Sequence, residues 1–133
     1  PNVTRLQDSG AAESVATSVQ GVRWEAWSPE KQAALLAEGR PVFVDFTAAW
    51  CVTCQYNKRT TLADAAVLGD MAAQNVALLR ADWTRRDAAV TAALAQLGRN
   101  GVPVYTLLQN GQPPVVLSEV LGVDEVRAAL ARL

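Results

Sequence analysis

The sequence contains no histidine and only two cysteines, Cys51 and Cys54, among its 133 residues. The absence of histidine excludes a Cys-His nucleophile, a histidine-containing zinc site and a histidine ligand to haem. The two cysteines would supply half of a four-cysteine zinc site, and a second copy of the chain would have to supply the rest. We therefore expect no metal and no other cofactor.

The sequence also lacks a strong charge imbalance and a long apolar run. Its formal net charge is −1, which argues against electrostatic binding to nucleic acid or to an anionic membrane surface. No apolar stretch approaches the roughly 20 residues of a membrane span, and no signal peptide is visible. Because the chain begins at Pro1 rather than at methionine, we expect a longer protein whose preceding part could hold targeting or membrane segments.

What the sequence does contain is typical of one folded domain preceded by a polar arm. Residues 1–20 are small and polar and predict a flexible linker. Residues 21–133 predict a single domain large enough to bury a core. Within it, short strands alternate with helices in the order β-α-β-α(α)-β-α-β-β-α. This order is typical of an α/β fold in which a central sheet carries helices on both faces.

Several elements of this pattern have specific bounds. Apolar residues at 42–46 predict a strand buried on both faces. We expect a helix over 51–60 and another over 85–97, with Arg85 and Arg86 at its solvated start and without a function. Residues 115–120 predict the second strand of a hairpin that follows the Asn110-Gly111 turn.

The two cysteines follow the buried strand after a short turn. A helix that begins at Cys51 places both sulfurs on one helix face, where they can form a short disulfide with Cys54. The positive end of the helix dipole favours the thiolate, which is the nucleophile of disulfide exchange. The alternative is a structural disulfide, but the short loop between Cys51 and Cys54 would constrain the unfolded chain very little. The spacing therefore favours a dithiol redox site.

Asp45 interrupts the apolar strand that leads to the cysteines. If it is buried, its pKa is raised, and it could exchange a proton with Cys54 through a water molecule. The alternative is an aspartate that reaches solvent at the end of the strand. The residues alone leave both interpretations open.

Two motifs together are similar to the signatures of the thioredoxin fold, and the similarity spans residues 21–133. The pattern V-D-F-x-A-x-W-C-x-x-C is formed here by Val44, Asp45, Phe46, Ala48, Trp50, Cys51 and Cys54. A V/I-P dipeptide that opens a later strand is formed by Val102-Pro103. The resemblance implies a central mixed β-sheet flanked by helices on both faces.

Further details resemble the C-terminal domain of DsbD-type thiol:disulfide interchange proteins. These details are Val52-Thr53 in place of Gly-Pro, the segment 55–71 and the segment 81–84. In that family a membrane domain passes electrons from cytoplasmic thioredoxin to this periplasmic domain, which passes them to an N-terminal domain or other periplasmic proteins. The chain departs from the family at Lys58, where members often carry an acid, so no role is carried over to Lys58.

The resemblance implies a location and a set of partners. The location is the periplasmic side of the bacterial inner membrane, tethered through an upstream membrane domain. That membrane domain of the same polypeptide would be the electron donor, and periplasmic thiol or disulfide proteins would be the acceptors. We expect no nucleic acid partner and no direct insertion of this fragment into the membrane.

The resemblance also implies roles for individual residues. Cys51 is the attacking thiol, Cys54 resolves the mixed disulfide, and the thioredoxin match favours a proton-transfer role for Asp45. Pro103 is expected to be cis and to lie beside the cysteines. The residues expected to contact the substrate are Trp50, Val52, Thr53, Val102 and Pro103. Tyr56 and Tyr105 are expected to be packing residues with solvated hydroxyls.

Two other functions compete with the electron-relay domain. One is a free-standing thioredoxin-like reductase or oxidase, and the other is a redox-inert binding module. The intact pair Cys51 and Cys54 argues against the inert module. The first two differ in what precedes Pro1, because several membrane spans would favour the relay. The residues between the cysteines do not establish the direction of electron flow.

Overall fold

The computed structural model describes residues 18–19 and 22–133. In chain order the elements are β1 (Ser18–Val19), β2 (Val22–Ala26), α1 (Pro29–Ala37), β3 (Val42–Thr47), α2 (Val52–Arg59), a 3₁₀ turn (Thr61–Ala63), α3 (Ala65–Ala73), β4 (Ala77–Asp82), α4 (Ala88–Gln96), β5 (Val104–Leu108), β6 (Val115–Val116) and α5 (Val123–Ala131). The predicted alternation of strands and helices is confirmed, with β1 and the 3₁₀ turn in addition.

In the described part of the chain the strands form one mixed sheet in the order β1-β2-β4-β3-β5-β6. β3 pairs in parallel with β4 and antiparallel with β5, and β2 pairs in parallel with β4. All six residues of β3 are buried, because a strand lies on each side of β3 and helices pack on both faces of the sheet. The strand that leads to the cysteines is thus in the middle of the sheet.

Each face of the sheet packs against its own set of helices. On one face, Phe43 stacks on Tyr105 and meets Trp24 edge-on, and this cluster includes residues of α3 and α5. On the other face, residues of β3 such as Val44 and Phe46 pack with residues of α1 and α4. The alternation of side chains along β3 separates the two cores, so the predicted central sheet with helices on both faces is confirmed.

Side-chain caps explain where three of the helices begin. The side chains of Ser28, Asp64 and Asp87 each accept a hydrogen bond from a backbone N–H in the first turn of α1, α3 and α4. The prediction that the helix over 85–97 starts at Arg85 is wrong, because Asp87 is the cap. Arg86 has a positive φ of 55°, which a helix does not allow.

The predicted strand over 115–120 is shorter than expected. Pairing ends at Val116, and Leu117 adds one more backbone hydrogen bond to Tyr105. Beyond it the backbone is held by side chains, since the N–H and hydroxyl of Ser118 both donate to the Glu125 carboxylate at 2.9 Å. A backbone bound in this way cannot continue the β ladder.

A buried asparagine ties α2 to this loop. Asn57 Nδ2 donates to the Tyr105 hydroxyl and to the Glu119 carbonyl, both at 2.8 Å. Its Oδ1 accepts from the Leu121 N–H at 3.2 Å. The expectation of a solvated hydroxyl on Tyr105 is therefore wrong, because this side chain is fully buried and bonded to Asn57.

The predicted arm over residues 1–20 lies largely outside the described residues. Its last part differs from that prediction, because Ser18 and Val19 pair antiparallel with Arg23 and Val22. Within the described ranges, none of the helices has the length and apolar character needed to cross a membrane.

Candidate active site

The two cysteines form a disulfide at the N-terminus of α2. Their Cα atoms lie 5.3 Å apart, and Cys51 is the N-cap residue, whose sulfur accepts a hydrogen bond from the Cys54 N–H at 3.1 Å. Cys51 is 7% exposed and Cys54 is fully buried. The sulfur of Cys51 is therefore the more accessible of the two and is closest to the positive end of the helix dipole.

Hydrogen bonds to the loop after β4 hold the turn that precedes the cysteines. Thr84 accepts from the Ala49 N–H through its hydroxyl at 2.8 Å and from the Trp50 indole through its carbonyl at 3.0 Å. The Ala48 carbonyl accepts from the Cys51 N–H at 3.1 Å. The position of Cys51 thus depends on a segment more than thirty residues away in sequence.

The Val102–Pro103 peptide bond is cis, as predicted. Val102 packs against the small cluster formed by Ala48, Cys51 and Cys54. This contact brings the start of β5 beside the disulfide, where the resemblance to the thioredoxin fold placed the dipeptide.

Exposed apolar side chains flank Cys51 in the sequence. Trp50 is 50% exposed and Val52 is 82% exposed, whereas Thr53 is only partly exposed. The guanidinium of Arg86 lies 5.2 Å from the Trp50 ring centroid and 4.7 Å from that of Trp83. Arg86 is exposed, as expected of a solvated residue, but it does not start a helix and its guanidinium stacks on these two rings.

Thr84 and Arg86 contact the turn before the cysteines, a role that the sequence analysis assigned to neither residue. Their contribution depends on the fold bringing the loop after β4 against Trp50. The only local signal is the sequence Trp83-Thr84-Arg85-Arg86 itself, which does not specify a partner thirty residues earlier.

Asp45 is fully buried, so the alternative of an aspartate that reaches solvent is wrong. Its Oδ2 accepts from Arg80 Nε at 3.2 Å, and within the described residues its Oδ1 has no hydrogen-bond partner. Burial raises the pKa of Asp45, and the positive charges of Arg80 and Lys58 oppose this effect without cancelling it. A carboxyl group with a raised pKa and a free oxygen is suited to proton exchange.

Lys58 of α2 contacts Thr47, the last residue of β3, and its positive charge acts on Asp45. Its ammonium donates to the Thr47 hydroxyl at 2.7 Å. Burial lowers the pKa of Lys58 and the charge of Arg80 lowers it further, whereas Asp45 and Asp82 raise it. The position where the DsbD-type family often carries an acid is thus occupied by a partly buried cation.

The arrangement has no evident metal-binding cluster. Within residues 18–19 and 22–133, no three carboxylate or cysteine side chains are grouped so that they could hold an ion. The chemistry that the site offers is that of two sulfurs at a helix N-terminus with a buried carboxyl group on the neighbouring strand.

Comparisons with known proteins agree with this geometry. Two relatives, both named thiol:disulfide interchange protein DsbD, come from Ralstonia nicotianae and Yersinia enterocolitica. They are 38% and 40% identical over 106 residues, which cover 78% and 79% of this chain. The chain spans only 17% and 18% of the length of these relatives.

A solved structure shares the fold. The oxidised C-terminal domain of DsbD from Neisseria meningitidis superposes with a TM-score of 0.66 at 23% identity, over 80% of this chain and 96% of that domain. A family model described as thioredoxin-like matches residues 23–110. The chain therefore belongs to the thioredoxin-like family.

Proposed function

We propose that this domain is a thiol:disulfide oxidoreductase that passes reducing equivalents to disulfides of partner proteins. The observation that carries the proposal is the placement of Cys51, which caps α2 and is bonded to the buried Cys54. An accessible sulfur at a helix N-terminus is a good nucleophile, and a shielded second sulfur is placed to resolve the product.

The reaction uses both sulfurs in turn. In the reduced protein, the Cys51 thiolate attacks one sulfur of the partner disulfide, which forms a mixed disulfide and releases the other sulfur as a thiolate. Cys54 then loses its proton and attacks Cys51, so that the Cys51–Cys54 bond forms and the second partner sulfur leaves with the electron pair. Two electrons pass to the partner, and the domain returns to its oxidised form.

The exposed side chains around the disulfide would receive the partner. Trp50 and Val52 offer apolar contact area, and Thr53 lies between the cysteines. Val102 packs against the cluster that holds the disulfide, and an extended partner segment would pair with its backbone there.

The domain would act as an electron relay on the periplasmic side of the bacterial inner membrane. This proposal is supported by the similarity to DsbD proteins, and the chain spans less than a fifth of their length. A membrane domain of the same polypeptide would donate the electrons, and periplasmic disulfide proteins would accept them.

Two electron sources distinguish the relay from a free-standing thioredoxin. We expect the detergent-solubilised, reduced membrane domain of a DsbD relative to reduce the Cys51–Cys54 disulfide, as measured by thiol alkylation and mass spectrometry. NADPH with thioredoxin reductase should reduce it poorly. The opposite order of rates would favour a free-standing reductase. If neither source reduced the disulfide and the protein had no activity on insulin, a redox-inert module would be favoured.

Replacing Asp45 with asparagine should slow the resolving step. In the wild type, the rate should rise with pH as the Asp45 carboxyl group ionises, because only the carboxylate accepts a proton from Cys54. Asparagine cannot accept this proton, so we expect the rise of the rate with pH to disappear. At pH values where the wild-type Asp45 is ionised, the rate should fall by about a hundredfold, the lower end of general acid–base catalysis. Stopped-flow exchange with a coloured disulfide across pH measures both effects.

The matched control is Asp124→Asn on the exposed face of α5, which should leave the profile unchanged. Circular dichroism should show that both variants keep the fold. An Asp45→Asn variant with the wild-type profile would remove Asp45 from the mechanism.

A further inference from the structure

We propose that Lys58 is a positioning residue for the resolving step: its ammonium, anchored by the Thr47 hydroxyl, holds the buried Asp45 carboxyl group in the ionised form that accepts the Cys54 proton. This inference rests on the proposed thiol:disulfide exchange.

The backbone geometry brings the four groups together. Asp45 and Thr47 are two residues apart in β3, so their side chains extend from the same face of the sheet. Cys54 and Lys58 are four residues apart in α2, so they share one face of that helix. Lys58 Nζ lies 2.7 Å from Thr47 Oγ1, so this face of α2 is directed at the C-terminal half of β3, which contains Asp45. The buried Cys54 lies on the same face of α2, one turn nearer the start of the helix.

The charged and titratable groups that act on Asp45 or on Lys58, or that face Asp45, lie on α2, β4 and β5. Arg80 from β4 binds Oδ2 and also lies 4.2 Å from the Trp24 ring centroid, so its guanidinium is held from two sides. Asp82 from the same strand is exposed, and its negative charge raises the pKa of Lys58. Tyr105 from β5 faces Asp45 across the register, and its hydroxyl is bonded to Asn57.

These contacts give the two cations different functions. Arg80 occupies Oδ2, whereas Oδ1 has no hydrogen-bond partner in the described residues and is the oxygen free to take a proton. Lys58 bonds to Thr47 rather than to the carboxylate, so it supplies positive charge without blocking that oxygen. Burial favours the neutral carboxyl group, and the two cations together oppose it. Without Lys58 the neutral form would persist to higher pH.

The proton transfer balances within the exchange reaction. The Cys54 thiol proton moves to the Asp45 carboxylate, and the Cys54 sulfur bonds to Cys51. The bond between Cys51 and the partner sulfur breaks, and that sulfur leaves as a thiolate. The proton on Asp45 then passes to water, and the carboxylate is restored.

The test is a stopped-flow reaction of the reduced protein with 5,5′-dithiobis(2-nitrobenzoate) across pH. The first equivalent of coloured thiolate reports the attack by Cys51, and the second reports resolution by Cys54. In Lys58→Met, we expect the acid limb of the second phase to move up by about one pH unit, which is about a tenfold slower rate on that limb. The first phase should keep its wild-type profile.

Three controls separate charge from packing. Lys58→Arg keeps the charge and should restore the wild-type profile. Lys31→Met removes the chain's other lysine, which pairs with Glu25 on the surface, and should have no effect. Thr47→Val removes the anchor of Lys58 and should move the acid limb in the same direction by less, and it carries the test alone if Lys58→Met does not fold.

A second readout is the carboxyl ¹³C chemical shift of Asp45 in the reduced protein. Lys58→Met should raise the pH at which this signal titrates. An unchanged or lowered titration would overturn the proposal, as would a Lys58→Met effect of the same size in an Asp45→Asn background. A wild-type protein that never releases the second equivalent would instead contradict the proposed function.

Discussion

Cys54→Ser should arrest the protein as a covalent adduct with its partner, and Cys51→Ser should abolish the reaction. In Cys54→Ser the Cys51 thiolate still attacks a disulfide, but no second thiol is present to release the product. In Cys51→Ser the remaining sulfur is fully buried and cannot reach a partner. The expected losses of turnover are both complete, yet only Cys54→Ser should accumulate the mixed disulfide.

The coloured disulfide and a protein substrate report this difference directly. Cys54→Ser should release one equivalent of coloured thiolate and retain the other on Cys51, as seen by intact mass. With insulin, non-reducing electrophoresis should show the adduct only for this variant. Adducts of equal yield with Cys51→Ser would mean that the assigned order of attack is wrong.

Asn57→Ala should lower the free energy of unfolding by about 3 kcal/mol, because it leaves several buried polar groups without partners. The groups that lose a hydrogen bond are the Tyr105 hydroxyl, the Glu119 carbonyl and the Leu121 N–H. Alanine has the higher helix propensity, so substitution within α2 would by itself be favourable. A large loss would therefore measure the network and not the helix.

Urea unfolding followed by circular dichroism measures this loss. The matched control is Asn100→Ala, an exposed asparagine, which should change stability by less than about 0.5 kcal/mol. If Asn57→Ala cost no more than the control, solvent would have to replace the network, and the loop 117–121 would not depend on α2.

The parts of the fold that the sequence predicted are those with local chemical signals. Ser28 and Pro29 indicate the start of α1, and apolar residues on both faces indicate the buried strand β3. Cys51 was expected at the start of a helix and is its N-cap. The cis bond before Pro103 came from the resemblance to the thioredoxin fold and not from the residues alone.

The parts that the sequence did not predict depend on contacts between distant segments. Arg86 has a positive φ and stacks on Trp50, which lies more than thirty residues earlier in the chain. The Tyr105 hydroxyl looks free until α2 brings Asn57 over it. Likewise, the burial of Asp45 beside Lys58 follows from the packing of α2 on the sheet, which no local pattern encodes.

The two edges of the sheet affect how copies of this domain would meet. In the described part of the chain, each edge strand, β1 and β6, is only two residues long. Short edge strands offer little template for pairing with another chain, which limits aggregation through the sheet. An electron carrier of this design would therefore tolerate a high local concentration with less tendency to form β-linked assemblies.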